Sequence, residues 1–285
     1  MSTHEWRFIY TGQGDPYFNM AVDETLLSSV QNGSPPILRV YEWNPPGVSM
    51  GYFQAVNKTV DRDKCLRKGM KLVRRITGGR AVLHNEELTY SFSGSCKIFP
   101  ELGDNIFETY KQISKALLSS LSILGIEAQW IKPSGGKINT DDPAHKKENK
   151  PYANPFFSLP CFSSFSRYEI SYQGRKLVGS AQRRFREIFL QHGSILLKKG
   201  ELDLADFLPA NSFIKGAKLL ENSTSIEEIK GKKIERKEII RALKRGFSEA
   251  FQKNLEEDSL TEDELKTAQK LTIDKYLKDD WNFRY

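Results

Sequence analysis

Between residues 37 and 93 the chain is written as short β-branched and aromatic runs separated by turn residues, and this pattern constrains the fold more than any other feature. Ile37-Leu-Arg-Val-Tyr-Glu-Trp43 leads into the turn Asn44-Pro-Pro-Gly47 and then into Val48-Ser-Met-Gly-Tyr52, which reads as two strands. A short helix at 61–68 leads to a predicted strand at 72–76, and further strands are predicted at 81–83 and 88–93. Two stretches follow a helical rhythm instead. In 19–30, Met20, Ala21, Leu26, Leu27 and Val30 share a face that ends before Gly33 and Pro35-Pro36. In 105–124, Ile106, Tyr110, Ile113, Leu117, Leu121 and Leu124 do the same, and Gly125 stands where a helix is expected to stop.

The second half carries the pattern on. A strand at 127–131 precedes 132–154, a stretch of Lys, Gly, Asp, Asn and Pro with almost nothing apolar, expected as a mobile surface loop because it cannot contribute to a core. Tyr168-Glu-Ile-Ser-Tyr172 alternates, Gln173-Gly174 turns and Lys176-Leu-Val-Gly-Ser-Ala181 returns, the sequence form of a β-hairpin. Another strand is predicted at 188–197. Residues 236–253 and 261–277 read as two charged amphipathic helices joined by an acidic connector. The expected fold is therefore α/β (α+β), a mixed, largely antiparallel sheet flanked by helices. Its expected division is a catalytic domain over 1–232 and a small helical C-terminal appendage over 233–285.

A chain of 285 residues, 39% hydrophobic and 28% charged, can bury an ample core. It has no run of about 18 apolar residues to cross a bilayer. Its first residues lack the apolar stretch of a secretory signal, so the expected location is cytoplasmic. Cys65, Cys96 and Cys161 are odd in number and widely spaced, which fits free thiols better than a disulfide framework or a metal site. The net charge of +7 and a pI near 9.1 favour an acidic partner without saying whether it is nucleic acid or protein.

Three stretches could carry chemistry. In Arg74-Arg-Ile-Thr-Gly-Gly-Arg-Ala-Val-Leu-His84, arginines flank a glycine pair, which suits either a carboxylate or phosphate ligand or simply a tight turn with solvated charges. It is not the Gly-x-Gly-x-x-Gly pattern of a dinucleotide site and it opens no helix. In Gly174-Arg-Lys-Leu-Val-Gly-Ser-Ala-Gln-Arg-Arg184, Lys176 stands at the start of an apolar strand. The small residues Gly179, Ser180 and Ala181 leave room beside it for a chain-like ligand, and the alternative is an exposed hairpin lysine. Cys161 is a lone thiol, read on spacing alone as either a nucleophile or an inert small residue.

Together these stretches resemble the lipoate-protein ligase A, octanoyltransferase and biotin ligase superfamily. The motifs that carry the resemblance are Asn19-Met-Ala-Val-Asp-Glu24, the Arg74 to His84 stretch, Gly174-Arg-Lys-Leu-Val-Gly-Ser-Ala-Gln182 and Leu190-Gln-His-Gly-Ser194, in one order over about two thirds of the chain. The ligases of the superfamily typically have an Arg-Asn-Asp-like segment before the lysine hairpin, where this chain has Cys161-Phe-Ser-Ser-Phe-Ser-Arg-Tyr-Glu169. That segment is similar to the cysteine-bearing, LipM-like octanoyltransferase branch.

The resemblance implies a catalytic domain like those of class II aminoacyl-tRNA synthetases and biotin ligases. It implies an acyltransferase that moves octanoate from acyl carrier protein to a lysine of a lipoyl domain, in glycine cleavage H protein or a 2-oxoacid dehydrogenase E2, through a Cys161 thioester. Lys176 would ready the thiol and hold the acyl oxygen. Arg74, Arg75, Gly78, Gly79, His84, Gly179 and Ser180 would bind substrate, and Val73, Ile76, Val82, Leu83 and Val178 would line an acyl tunnel. Arg183, Arg184 and Arg186 are candidates for a basic patch facing the acidic partners. His84 and His192 are each read as general base or as hydrogen-bonded structural histidine. No cofactor, metal, nucleic acid or membrane is expected, and the chain is expected as a monomer. ATP and Mg would enter only if the chain were an ATP-dependent lipoate ligase. Amidotransfer between lipoyl domains would use the same residues with a different donor, and a non-enzymatic lipoyl-domain or nucleic-acid binder is the remaining alternative.

Overall fold

The computed structural model describes residues 5–130, 169–210, 212 and 219–284. The polar stretch at 132–154 and Cys161 lie outside the described residues. The chain opens with strand β1 (Glu5–Gly14) and helix α1 (Pro16–Gln31). Asp15 caps α1 by accepting from the Tyr17 amide, and Pro16 supplies a preset first-turn φ, so the helix begins three residues before the apolar rhythm does. Then come β2 (Ile37–Trp43), β3 (Gly47–Met50), the short helices α2 (Val56–Thr59) and α3 (Arg62–Arg67), β4 (Lys71–Arg74), β5 (Val82–His84) and β6 (Glu87–Ser95). Helix α4 (Ile106–Ile123) starts at Asn105, whose side chain accepts from the Glu108 amide, and β7 (Gln129–Trp130) follows. After β8 (Ile170–Tyr172), β9 (Arg175–Phe185) and β10 (Ile188–Leu196) come α5 (Ile226–Lys230), α6 (Arg236–Phe251), β11 (Asn254–Asp258), α7 (Glu262–Leu271) and α8 (Asp279–Asn282).

Among the described residues the strands make one sheet in the order β11-β1-β2-β6-β10-β9-β8-β7 and a second in the order β4-β3-β5. Pairing is antiparallel from β2 to β7, while β1 runs parallel to both β2 and β11, so the sheet is mixed and largely antiparallel. Alternation along the central strands divides the core in two. Phe8, Leu38, Val40, Tyr90 and Phe92 face α4 and α6, where Ile113, Leu117, Leu243 and Phe247 meet them. Ile9, Ile37 and Tyr41 face the other way, onto Met20, Val22, Leu26 and Leu27 of α1.

Residues 233–285, expected as an appendage, are built into this body. Helix α6 supplies Ile239, Ala242, Leu243, Phe247 and Phe251 to the first core. The acidic connector is β11, an edge strand paired in parallel with β1, and α7 packs against α1. The chain end returns to β4, where Asn282 Oδ1 accepts from the Arg74 amide at 2.9 Å.

Candidate active site

Two rows of residues that are neighbours across the large sheet lie beneath α1. One runs Gly179, Ser194, Thr89, Tyr41 and the next runs Ala181, His192, Ser91, Arg39, over β9, β10, β6 and β2. The first row, together with Ala181 and His192 of the second, Met20 from α1 and Ser49, Val82 and His84 from the small sheet, lines a small pocket. Glycines here let neighbouring backbones approach closely. A Cβ on Gly193 would come within 2.6 Å of the Gly179 carbonyl oxygen, and one on Gly51 within 2.0 Å of the Gly79 carbonyl oxygen. Gly79 itself has φ +84°, a left-handed turn conformation.

Two carboxylate–imidazole–hydroxyl chains are buried in the pocket wall. Asp23 accepts from Arg39 at 2.7 Å, Ser91 at 2.8 Å and Tyr41 at 2.9 Å, and His192 Nδ1 lies 3.0 Å away. With an ionised carboxylate on one side, Nδ1 carries the ring proton, and Nε2 accepts from the Thr77 hydroxyl at 2.6 Å. Burial opposes the Asp23 charge, but Arg39 and His192 outweigh it and hold the carboxyl below its ordinary value. Burial also depresses His192, only partly offset by Asp23, so the imidazole is neutral at pH 7. In the second chain Glu87 Oε1 and Ser49 Oγ each sit 2.5 Å from a nitrogen of His84, and the ring stacks on Trp43 at 3.8 Å. The Arg75 guanidinium donates to Ser49 Oγ at 2.6 Å and to the Gly78 and Arg80 carbonyls at 3.0 and 2.9 Å, tying the glycine loop to the small sheet.

Lys176 owes its direction to a bulge. Ile170 pairs with Val178 but Ser171 pairs with Lys176, so Leu177 is one residue too many for the β8 ladder. Leu177 and Val178 accordingly both enter the α4 and α6 core. The shift turns Lys176 to the opposite face, the one carrying Gly179 and Ala181. There it is 1% exposed, and its ammonium donates to Glu169 Oε1 at 2.5 Å, Glu169 being 2% exposed. The backbone of Lys176 is held by the Thr224 amide, which donates to its carbonyl at 2.8 Å.

Of the residues named from sequence, Arg75, His84, Gly179 and Ser180 come together at the pocket. Gly78 and Gly79 form the loop that Arg75 grips. Ser180 Oγ is bonded to Tyr90 Oη at 2.7 Å, on the α4 side of the sheet. Arg74 has a different task from the substrate contact expected of it. It is fully buried and its guanidinium donates to the carbonyls of Gly51, Tyr52, Gln54, Asn282 and Arg284, which makes it a tether between a turn and the chain end. The expected tunnel is also corrected. Val82 lines the pocket, whereas Val73 and Ile76 pack into the α1 core, Val178 into the α4 core and Leu83 against the core of the small sheet. Asp23, Ser49, Thr77, Glu87 and Glu169 were not singled out from sequence. Asp23, Thr77 and Glu169 fall inside quoted motifs, and only the fold shows what they hold.

The family model for the lipoyl protein ligase A/B catalytic domain matches residues 15–248. The chain belongs to this family. It is 39% identical to octanoyltransferase LipM of Kyrpidia tusciae over 98% of both chains, and 36% identical to octanoyltransferase LipM of Bacillus subtilis over the full length of both. Among solved structures it is similar to lipoate-protein ligase A bound with ATP, with a TM-score of 0.74, 26% identity and 98% of each chain covered. It is also similar to the bi-partite lipoate protein ligase of Thermoplasma acidophilum, with a TM-score of 0.75, 26% identity and coverage of 98% of this chain and 96% of that one. Among the described residues of this family member, no cluster of His, Cys, Asp or Glu is placed to hold a metal ion, and no helix is long and apolar enough to cross a membrane.

Proposed function

We propose that this chain is an octanoyltransferase of protein lipoylation, with acyl carrier protein as donor and a lysine of a lipoyl domain as acceptor. The observation that carries the reading is full-length similarity to LipM octanoyltransferases in a chain that sets a small pocket on the sheet face of a buried lysine. The proposed nucleophile is Cys161. Its thiolate attacks the donor thioester, a C–S bond forms as the carrier's C–S bond breaks, and the carrier leaves as a thiol with the proton from Cys161. The acceptor amine then attacks the acyl-enzyme, a C–N bond forms, and the amine proton returns to the departing Cys161 sulfur. One thioester becomes another and then an amide, so the sequence runs downhill without ATP. The Lys176 ammonium faces the acyl oxygen, where developing negative charge is stabilised. Loss of one such contact typically costs about 100- to 1,000-fold in rate. The basic balance of the chain suits acidic carrier and lipoyl domains and makes encounter slower at high salt.

Intact-mass measurement after mixing with octanoyl-acyl carrier protein tests the proposal. The expected result is an octanoyl adduct on the wild-type chain that is absent from Cys161→Ser and passes to added lipoyl domain. Activity that requires ATP and free octanoate, with no adduct, would replace this reading with ligation, the chemistry named for two of its structural neighbours.

A further inference from the structure

The Lys176–Glu169 pair is the feature of the fold whose chemistry reaches furthest beyond the reading above. Both side chains are almost wholly enclosed, and the contact is 2.5 Å. The two residues come from opposite arms of one hairpin, Glu169 directly before β8 and Lys176 at the second residue of β9. Their meeting depends on the Leu177 bulge. Without the extra residue, strict alternation would send Lys176 into the α4 core beside Val178, away from the pocket and away from Glu169.

Burying an ammonium without an opposite charge beside it is costly, and a four-carbon stem leaves its tip free to wander. Glu169 answers both difficulties at once. It sets a negative charge against the enclosed ammonium, and it fixes the direction of one of its N–H bonds and with it the tip of the side chain. Ser171, directly opposite Lys176 in the ladder, bonds to the Gln129 carbonyl, and the neighbouring Arg175 is paired with Glu228. We propose that Glu169 is a positioning residue for transfer: it touches no substrate and acts by holding the Lys176 ammonium aimed at the acyl oxygen. The proposal rests on the role assigned to Lys176 under the proposed function.

The test compares Glu169→Gln, Glu169→Asp and Lys176→Ala in the full chain, measuring kcat, KM for octanoyl-acyl carrier protein and thermal midpoint. Glu169→Gln keeps shape and removes charge, and its kcat is expected to fall about 100-fold with KM little changed. Glu169→Asp restores the charge on a shorter stem and is expected to recover part of that loss. A folded Glu169→Gln chain with kcat within about threefold of wild type, beside an inactive Lys176→Ala, overturns the proposal while leaving Lys176 in its role. Full activity in Lys176→Ala removes the reading on which the proposal stands. Should Glu169→Gln fail to fold, the Asp variant decides, with an unchanged kcat overturning the proposal and a several-fold lower kcat at unchanged KM supporting it.

Discussion

Glu264 of α7 fastens the C-terminal segment to the first strand and helix, and its strength can be worked from the structure. Its carboxylate takes both terminal nitrogens of Arg7, at 2.6 and 2.9 Å, the Ser29 hydroxyl at 2.7 Å and the Thr261 amide at 2.9 Å. Burial alone would raise its pKa, but these donors outweigh burial and bring it from 4.5 down to about 2. A change of that size corresponds to about 3 kcal/mol, and solvent at the edge of the site trims it to roughly 2–3 kcal/mol. The folded-state value is depressed, so the contribution is fully present above pH 4.5 and is lost as pH falls from 4.5 towards 2. Glu264→Gln removes it at every pH. Urea denaturation at pH 7, 5 and 3 should therefore show the variant about 2–3 kcal/mol weaker at pH 7, with the gap to wild type falling to roughly half of that or less at pH 3. A gap that stays constant over this range refutes the linkage. The contact is worth a sizeable share of the 5–15 kcal/mol that ordinarily holds a domain together, which an appendage would not supply.

Two further predictions follow from buried groups near the pocket. Arg74→Met should lower stability by about 3 kcal/mol or more, because it strands the carbonyls of the 51–54 turn and the chain end, yet KM for donor in the folded enzyme should stay near wild type; a raised KM at unchanged stability would return Arg74 to the substrate. Asp23→Asn should cost about 3–5 kcal/mol by leaving the Arg39 charge uncompensated, measured by thermal or urea unfolding, and a cost below about 1 kcal/mol would show that the Asp23 network is incidental.

Local patterns carried most of the element types into view. The caps of α1 and α4 are short-range hydrogen bonds, and the strands of β2 and β6 are dense in β-branched and aromatic residues, so neighbours in sequence suffice to read them. β11 was read as a connector for a physical reason. An edge strand needs few buried side chains, and in Asn254–Asp258 only Leu255 is buried, so its identity as a strand resides in pairing with β1 some 250 residues away. Arginine posed a different difficulty. Arg74 and Arg75 are adjacent and chemically equal, yet one, at the end of β4, reaches the carbonyls of the chain end and the other, just past it, the pocket loop, because the return of the C-terminus to β4 is not a local property.

Lys176 shows why a motif can be legible while its geometry is not. The alternation of β9 read from sequence places Lys176 with Val178 and Ser180, on the side of α4, and a lysine there would face the interior of an apolar core. The order reverses because β8 and β9 are matched with one residue to spare, and no residue type in Arg175-Lys-Leu-Val-Gly-Ser announces a bulge. What stabilises the reversed order is the pair of partners that it creates. Leu177 gains the apolar core and Lys176 gains Glu169, so the bulge and the ion pair support each other. The face on which the lysine acts is therefore a property of strand register, and register is decided by both hairpin strands together.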